Sequence, residues 1–260
     1  MLKNTVTLEF ELCFLIYFLM SLPFKIFSFD PKGTKSIPNA AIIVLQEWWG
    51  INDQIKRHAQ RIADNTGAHV VVPDLYKGKI GLTAEEASHL MSNLDWKVAI
   101  GELEQLVEYL RDLKKTHIGA IGFCMGGALS LALAANAAEH GKPIQVAITC
   151  YGIPGAPFDV KKITKATSVQ GHFGGKDQMD GFSDPASARK LEVDVSGAND
   201  LHIYNYPEQG HAFLNDDEWS IAKRKENGMV DKSIDPLKDE KPVRDLAWSR
   251  IFDFFHKHLV

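Results

Sequence analysis

The run HIGAIGFCMGGALSLALAAN, His117–Asn136, decides how the rest of the chain is read. Its first half is a short apolar stretch of strand length, and its second half is rich in Ala and Leu, both strong helix formers. Between them lies Gly122-Phe123-Cys124-Met125-Gly126-Gly127. Strand, glycine-flanked turn and helix in that order are the setting of a nucleophile elbow, with cysteine where serine is usual. The turn is sharp, so glycines two residues before and after the central one remove side chains that would strike the neighbouring strand and helix. Cys124 is expected to point into open space at a helix N-terminus, where the dipole and unpaired N–H groups favour a thiolate. The N–H of Met125 is expected to meet an oxyanion. A small apolar cysteine packed on a turn fits the same motif, so the partners must decide.

Outward from this run, the chain from Pro31-Lys32-Gly33 onward alternates strand and helix, the pattern of a mostly parallel sheet with helices on both faces. Ala41–Gln46 reads as a central strand ending in Glu47-Trp48-Trp49-Gly50. Asn52 caps a helix that Gly67 stops. His69–Val72 is the next strand, closed by Pro73-Asp74. Thr83 and Glu86 form a capping box opening a helix to about Asn93. Asp95 caps a longer helix to Lys115, whose Val98, Leu103, Leu106, Val107 and Leu110 make an apolar face. Beyond the elbow the spacing predicts strands at Gln145–Tyr151, Thr167–Phe173 and Leu201–Tyr206, and a helix capped near Ser183. A C-terminal helix carries Ala247, Ile251, Phe254, Phe255 and Leu259 toward the core. The charged stretch Asn215–Lys241 reads as a surface loop or flap beside His211, or as a solvated excursion.

At 260 residues and 45% apolar the chain has the material for one large α/β domain. A net charge of -4, with Lys and Arg interleaved with acids, argues against nucleic-acid binding. Three cysteines, Cys13, Cys124 and Cys150, are no disulfide framework and point to a reduced, cytoplasmic setting. Residues 1–30 stand apart. Thr5–Leu12 alternates as a strand does, and Leu12–Phe24 is an apolar run too short to span a bilayer. Edge strands, a signal or anchor segment, and an aberrant gene start are all open for it. A signal would put the protein in the secretory pathway, and any membrane association would run through this segment. Residues 31–260 are expected to form the single domain.

Nucleophilic thiol chemistry needs a base near Cys124 and a carboxylate to orient that base. Asp177 falls at the C-terminal mouth of one predicted strand, and His211, in Gly210-His211-Ala212-Phe213, follows the next. Cys124, Asp177, His211 is the nucleophile, acid, histidine order of α/β-hydrolases. Parallel strands present their C-terminal ends on one edge, so the three can converge there. His172, inside a strand, reads as a hydrogen-bonded structural histidine, and Cys150 as a small buried thiol. The remaining histidines are expected to hold no metal, and no cofactor is implied.

Five stretches carry a family resemblance across residues 40–260: Gln46-Glu47-Trp48-Trp49-Gly50, Pro73-Asp74-Leu75-Tyr76, the elbow, Asp177, and Gly210-His211-Ala212-Phe213. Together the chain resembles the dienelactone hydrolase family, which implies the α/β-hydrolase fold. The resemblance also implies a Cys-His-Asp triad that cleaves a carboxylic ester or lactone through a thioester acyl-enzyme. It implies that Glu47 contacts the resting thiol and helps deprotonate it when substrate arrives, and that the N–H of Trp48 completes the oxyanion hole with that of Met125. Family members that open dienelactone hold its carboxylate with an arginine shortly after Pro-Asp-Leu-Tyr and with a serine and an arginine after the histidine. This chain has Lys77-Gly78-Lys79 in the first place, and Ala212 and Asn215 in the second. A lysine cannot reproduce a planar bidentate grip. The pocket candidates are therefore Trp49, Tyr76, Lys77, Tyr151 and Phe213, suited to a flatter, more aromatic small molecule. The expected state is a monomer or weak dimer. The alternative reading is a degenerate hydrolase fold that binds a ligand or partner without turnover.

Overall fold

The computed structural model describes residues 22–260. The alternation at Thr5–Leu12, Cys13 and most of the Leu12–Phe24 run lie outside the described residues. Six strands run parallel: β2 (Ala40–Leu45), β3 (His69–Pro73), β4 (His117–Phe123), β5 (Val146–Cys150), β6 (Ser168–Gly174) and β7 (Leu201–Tyr206). One more, β1 (Ile26–Phe29), pairs antiparallel with β3. It lies within the 1–30 segment and forms an edge of the sheet. The order is β1-β3-β2-β4-β5-β6-β7. The chain steps from β2 to β3 on one side and returns to β4 on the other, so the order reverses between β2 and β4. In an open α/β sheet, that reversal opens a crevice at the carboxyl ends of the two strands.

The strand sequences are apolar on both faces because helices cover both. Along β2, Ala41, Ile43 and Leu45 enter one core while Ala40, Ile42 and Val44 enter the other, all fully buried. The first core is closed by α3 (Trp96–Asp112), α4 (Met125–Glu139) and α5 (Pro185–Asp194), the second by α1 (Asp53–Thr66) and α8 (Lys241–His258). The helix α4 is buried almost all round, which explains a composition with no charge between Met125 and Ala138. The short helix α2 (Ala84–Ser92) carries the anticipated capping box, and α1 is capped by Asn52 and ended by Gly67 in the left-handed region.

Three local expectations need correction. The helix α3 ends at Asp112, because Lys114 turns left-handed at φ 66°. Its buried face is Ala99, Ile100, Leu103, Leu106, Val107 and Leu110, whereas Val98 is 55% exposed, one position out of phase with the stripe. The cap of α5, expected near Ser183, is the adjacent Asp184, followed by Pro185 at the first helical position. The stretch 215–241 is no loose excursion: it holds α6 (Glu218–Glu226) and α7 (Pro236–Asp239). Among the described residues no helix is long and apolar enough to cross a membrane.

Candidate active site

The elbow follows from close approach. A Cβ on Gly122 would lie 1.9 Å from the carbonyl oxygen of Gly126, and one on Gly126 would lie 2.2 Å from that of Leu45. Only glycines let α4 leave β4 so abruptly beside β2. Cys124 carries the strain, at φ 53° and ψ -118°, and its N–H is held by the Cys150 carbonyl at 3.0 Å. A non-glycine residue in this region costs on the order of 1–3 kcal/mol and persists only where the surroundings enforce it. Met125 opens α4, and first-turn N–H groups have no partner within their own helix.

Asp177 follows β6, and His211 follows β7. Their side chains meet at 2.7 Å, Asp177 Oδ2 to His211 Nδ1, with both residues buried. Asp177 Oδ1 also accepts the N–H of Met179. Burial opposes the charge on Asp177, but the bonds from His211, Met179 and Ser183 hold its carboxyl below the usual range. Burial likewise opposes a charged imidazole. The adjacent Cys124 sulfur and the Asp177 carboxylate outweigh it and raise His211 to about 10. The other ring nitrogen, Nε2, is buried and makes no hydrogen bond of ordinary geometry.

A narrow cleft with a cavity volume of about 10 Å³ brings together Cys124, His211, Glu47, Trp48 and Trp49 with Asn215, Ser220, Lys223 and Arg224. Glu47 opens the turn after β2, its carbonyl accepting the Gly50 N–H at 3.1 Å, and is 1% exposed. Asn215 Nδ2 donates to its Oε2 at 3.2 Å, while Oε1 has no partner. Desolvation by burial pushes Glu47 up to about 7, against the lowering effects of Asn215, His211 and Arg224. Of the other pocket candidates, Trp49 borders the cleft. Tyr76 turns its hydroxyl to Met125 Sδ at 3.2 Å, and Lys77 is exposed on the following turn. Tyr151 and Phe213 are wholly buried, and Tyr151 packs its ring edge-on against His211 at 5.2 Å. Tyr151 thus backs the imidazole from the core, with Phe213 packed behind it at 5.8 Å, and neither lines the cleft. His172 is held between Tyr206 Oη and Gln170 Oε1, each at 2.8 Å, and burial lowers it to about 3.

Sequence reasoning missed the second ring of partners. Ser183 Oγ lies 3.2 Å from His211 Nδ1. Arg224 Nε donates to the His211 carbonyl at 3.0 Å while its other nitrogens grip both oxygens of Glu240. Gln54 of α1 accepts the N–H groups of Asp216 and Asp217, each at 2.9 Å, and Arg61 pairs with Asp216 at 2.8 Å. The segment after His211 is thus fastened to α1 on one side and to the start of α8 on the other. Nothing in the local pattern of a charged stretch marks such long-range pairs.

A parallel sheet with a strained, glycine-flanked cysteine turn at its switch point, and an acid–histidine pair just after the strands beyond, defines an α/β-hydrolase. The family model described as "Dienelactone hydrolase family" matches residues 24–259, and the chain belongs to that family, one of ester and lactone hydrolases. A carboxymethylenebutenolidase of Pseudomonas putida is 28% identical over 221 residues, covering 79% of this chain and 89% of its own. One from Rhodococcus opacus is 26% identical over 231 residues, covering 84% and 81%. Among solved structures, a dienelactone hydrolase from Anabaena variabilis superposes with TM-score 0.55 at 16% identity, covering 93% of this chain and 96% of its own. A dienelactone hydrolase-like promiscuous phosphotriesterase from metagenomic libraries gives 0.63 at 20% identity, with 88% and 91% covered. At these identities the structural likeness speaks to fold alone.

Proposed function

We propose that the protein hydrolyses a carboxylic ester or lactone through a thioester on Cys124. The observation that carries this reading is the 2.7 Å Asp177–His211 bond, with the free Nε2 of that ring in the same cleft as the thiol. Cys124 Sγ attacks the carbonyl carbon and its proton passes to His211 Nε2. The N–H groups of Met125 and Trp48 hold the resulting oxyanion. Collapse breaks the ester C–O bond, and the departing alkoxide takes the proton from His211. Water then gives a proton to the same nitrogen and attacks the thioester, releasing the acid and restoring the thiol. Asp177 fixes the tautomer throughout. Glu47 tunes the thiol from the wall of the cleft.

Intact-protein mass spectrometry during turnover of an activated acetate ester tests this. The expected result is one acetyl adduct on Cys124, absent from Cys124→Ala together with turnover. Undiminished hydrolysis by that variant would end the proposal. Absence of both labelling and turnover in the unmodified protein would leave a binding module on a hydrolase fold.

A further inference from the structure

The acid–histidine pair has a third group against it. Ser183, on the loop between β6 and α5, is fully buried, and its Oγ lies 3.2 Å from His211 Nδ1. The sense of its bonds follows from the protons. Asp177 Oδ2 stands 2.7 Å from Nδ1, and an ionised carboxylate only accepts, so Nδ1 carries a proton directed at Oδ2. Ser183 Oγ therefore cannot donate to Nδ1 and meets that N–H with a lone pair. Its own proton needs another acceptor. A buried hydroxyl commonly takes a backbone carbonyl, as Ser130 does with those of Gly127 and Ile148 at 2.7 and 2.8 Å. Among the described residues no backbone carbonyl bonds Ser183 Oγ. The acceptor is Asp177, whose burial opposes its charge and whose bonds from His211, Met179 and Ser183 keep it ionised.

The loop fixes where this hydroxyl stands. The Met179 carbonyl accepts the N–H groups of Phe182, Ser183 and Asp184 at 3.1, 3.0 and 3.2 Å, while the Met179 N–H returns to Asp177 Oδ1 at 3.1 Å. Asp184, next along, caps α5 through the N–H groups of Ala186 and Ser187 at 2.9 and 3.1 Å. The serine is thus anchored to the carboxylate at one end and to a helix at the other.

We propose that Ser183 is a positioning residue of the acid–histidine pair: its hydroxyl donates to Asp177 and presents a lone pair to the Nδ1–H of His211, locking the ring in one tautomer with Nε2 free. A fixed dipole with its oxygen toward the imidazole and its hydrogen toward the carboxylate also favours a charged ring over a neutral one. In the thioester reading above, on which this role in turnover rests, the imidazolium forms when the thiol proton reaches Nε2, and again when water gives up its own. Ser183 does not line the cleft, so it acts through Asp177 and His211 alone.

Two measurements test the role. The first needs no substrate: exchange of the His211 Nδ1 proton with water, followed by nuclear magnetic resonance in protein labelled at histidine nitrogen and assigned by its loss in His211→Gln. In Ser183→Ala that proton should exchange about tenfold faster, as expected for one lost hydrogen bond to a charged group. The second is turnover of an activated acetate ester, where kcat should fall about tenfold with KM unchanged. Ser183→Cys, close in size but a weak donor, serves if the alanine variant does not fold. An unchanged exchange rate, or an unchanged kcat beside an active parent, would overturn the proposal. If the parent itself turns over no ester, the thioester reading fails while the exchange rate still decides whether Ser183 holds the ring.

Discussion

At the scale of the residue, burial of Glu47 makes stability depend on pH. Its carboxyl is raised from 4.5 to about 7 by burial, so between these values the folded chain keeps a proton that the unfolded chain releases. Stability from this group is complete below the unfolded value and is lost as pH rises through the folded one. At about pH 8 the loss is on the order of 3 kcal/mol, counting about 1.4 kcal/mol per unit. Glu47→Gln should therefore match the parent in Tm near pH 4 and exceed it near pH 8; a variant that melts no higher at the alkaline end would refute this account. Asp177→Asn keeps the shape but presents an amide to Nδ1, so kcat for an activated ester should fall by about a thousandfold or more. Burst kinetics would show whether acylation bears the loss.

At the scale of the element, the strap after His211 is held by a buried ion pair between α6 and the start of α8. Removing one partner leaves a charge stranded: Arg224→Met should cost about 3–5 kcal/mol in urea unfolding, whereas Arg224→Met with Glu240→Leu should recover much of it. A double variant as unstable as the single one would show that the carbonyl of His211, and not Glu240, is what Arg224 serves. This strap was also the least legible part of the sequence. Arg224 and Glu240 sit among exposed Lys, Asp and Glu, and a buried pair spells the same letters as a solvated one. The elbow was legible for the opposite reason, since its glycines, its apolar strand and its capless alanine-rich helix are all local signals. The helix start expected near Ser183 was legible because Asp184-Pro185 is a strong local signal, whereas the approach of Ser183 to His211 was not. Tyr151 and Phe213 sit at strand ends, where sequence does not reveal whether a ring turns to the cleft or to the core.

At the scale of the whole molecule, the alternation of apolar strands with helices along the chain made the two-faced sheet readable, while the register and the antiparallel β1 are set by pairings distant in sequence. Strands β2 and β5 are wholly buried and β4 nearly so, whereas the edge strands β1 and β7 are partly open to solvent. Local opening is cheapest where burial is least. Hydrogen exchange should be slowest in β2, β4 and β5 and faster in β7, which leads into His211. Activity should accordingly fade at a lower urea concentration than far-ultraviolet circular dichroism; coincident midpoints would mean that β7 opens only with the whole domain.

The order of the sheet also orders events on the ribosome. The turn bearing the sulfur is translated well before Gly210-His211, and the glutamate that anchors Arg224 comes later still. Domains built from the N-terminus onward gather their parts in that sequence. On the reading proposed above, a nascent chain therefore carries its thiol before His211 is made, and the proposed hydrolysis waits until the last helix has docked.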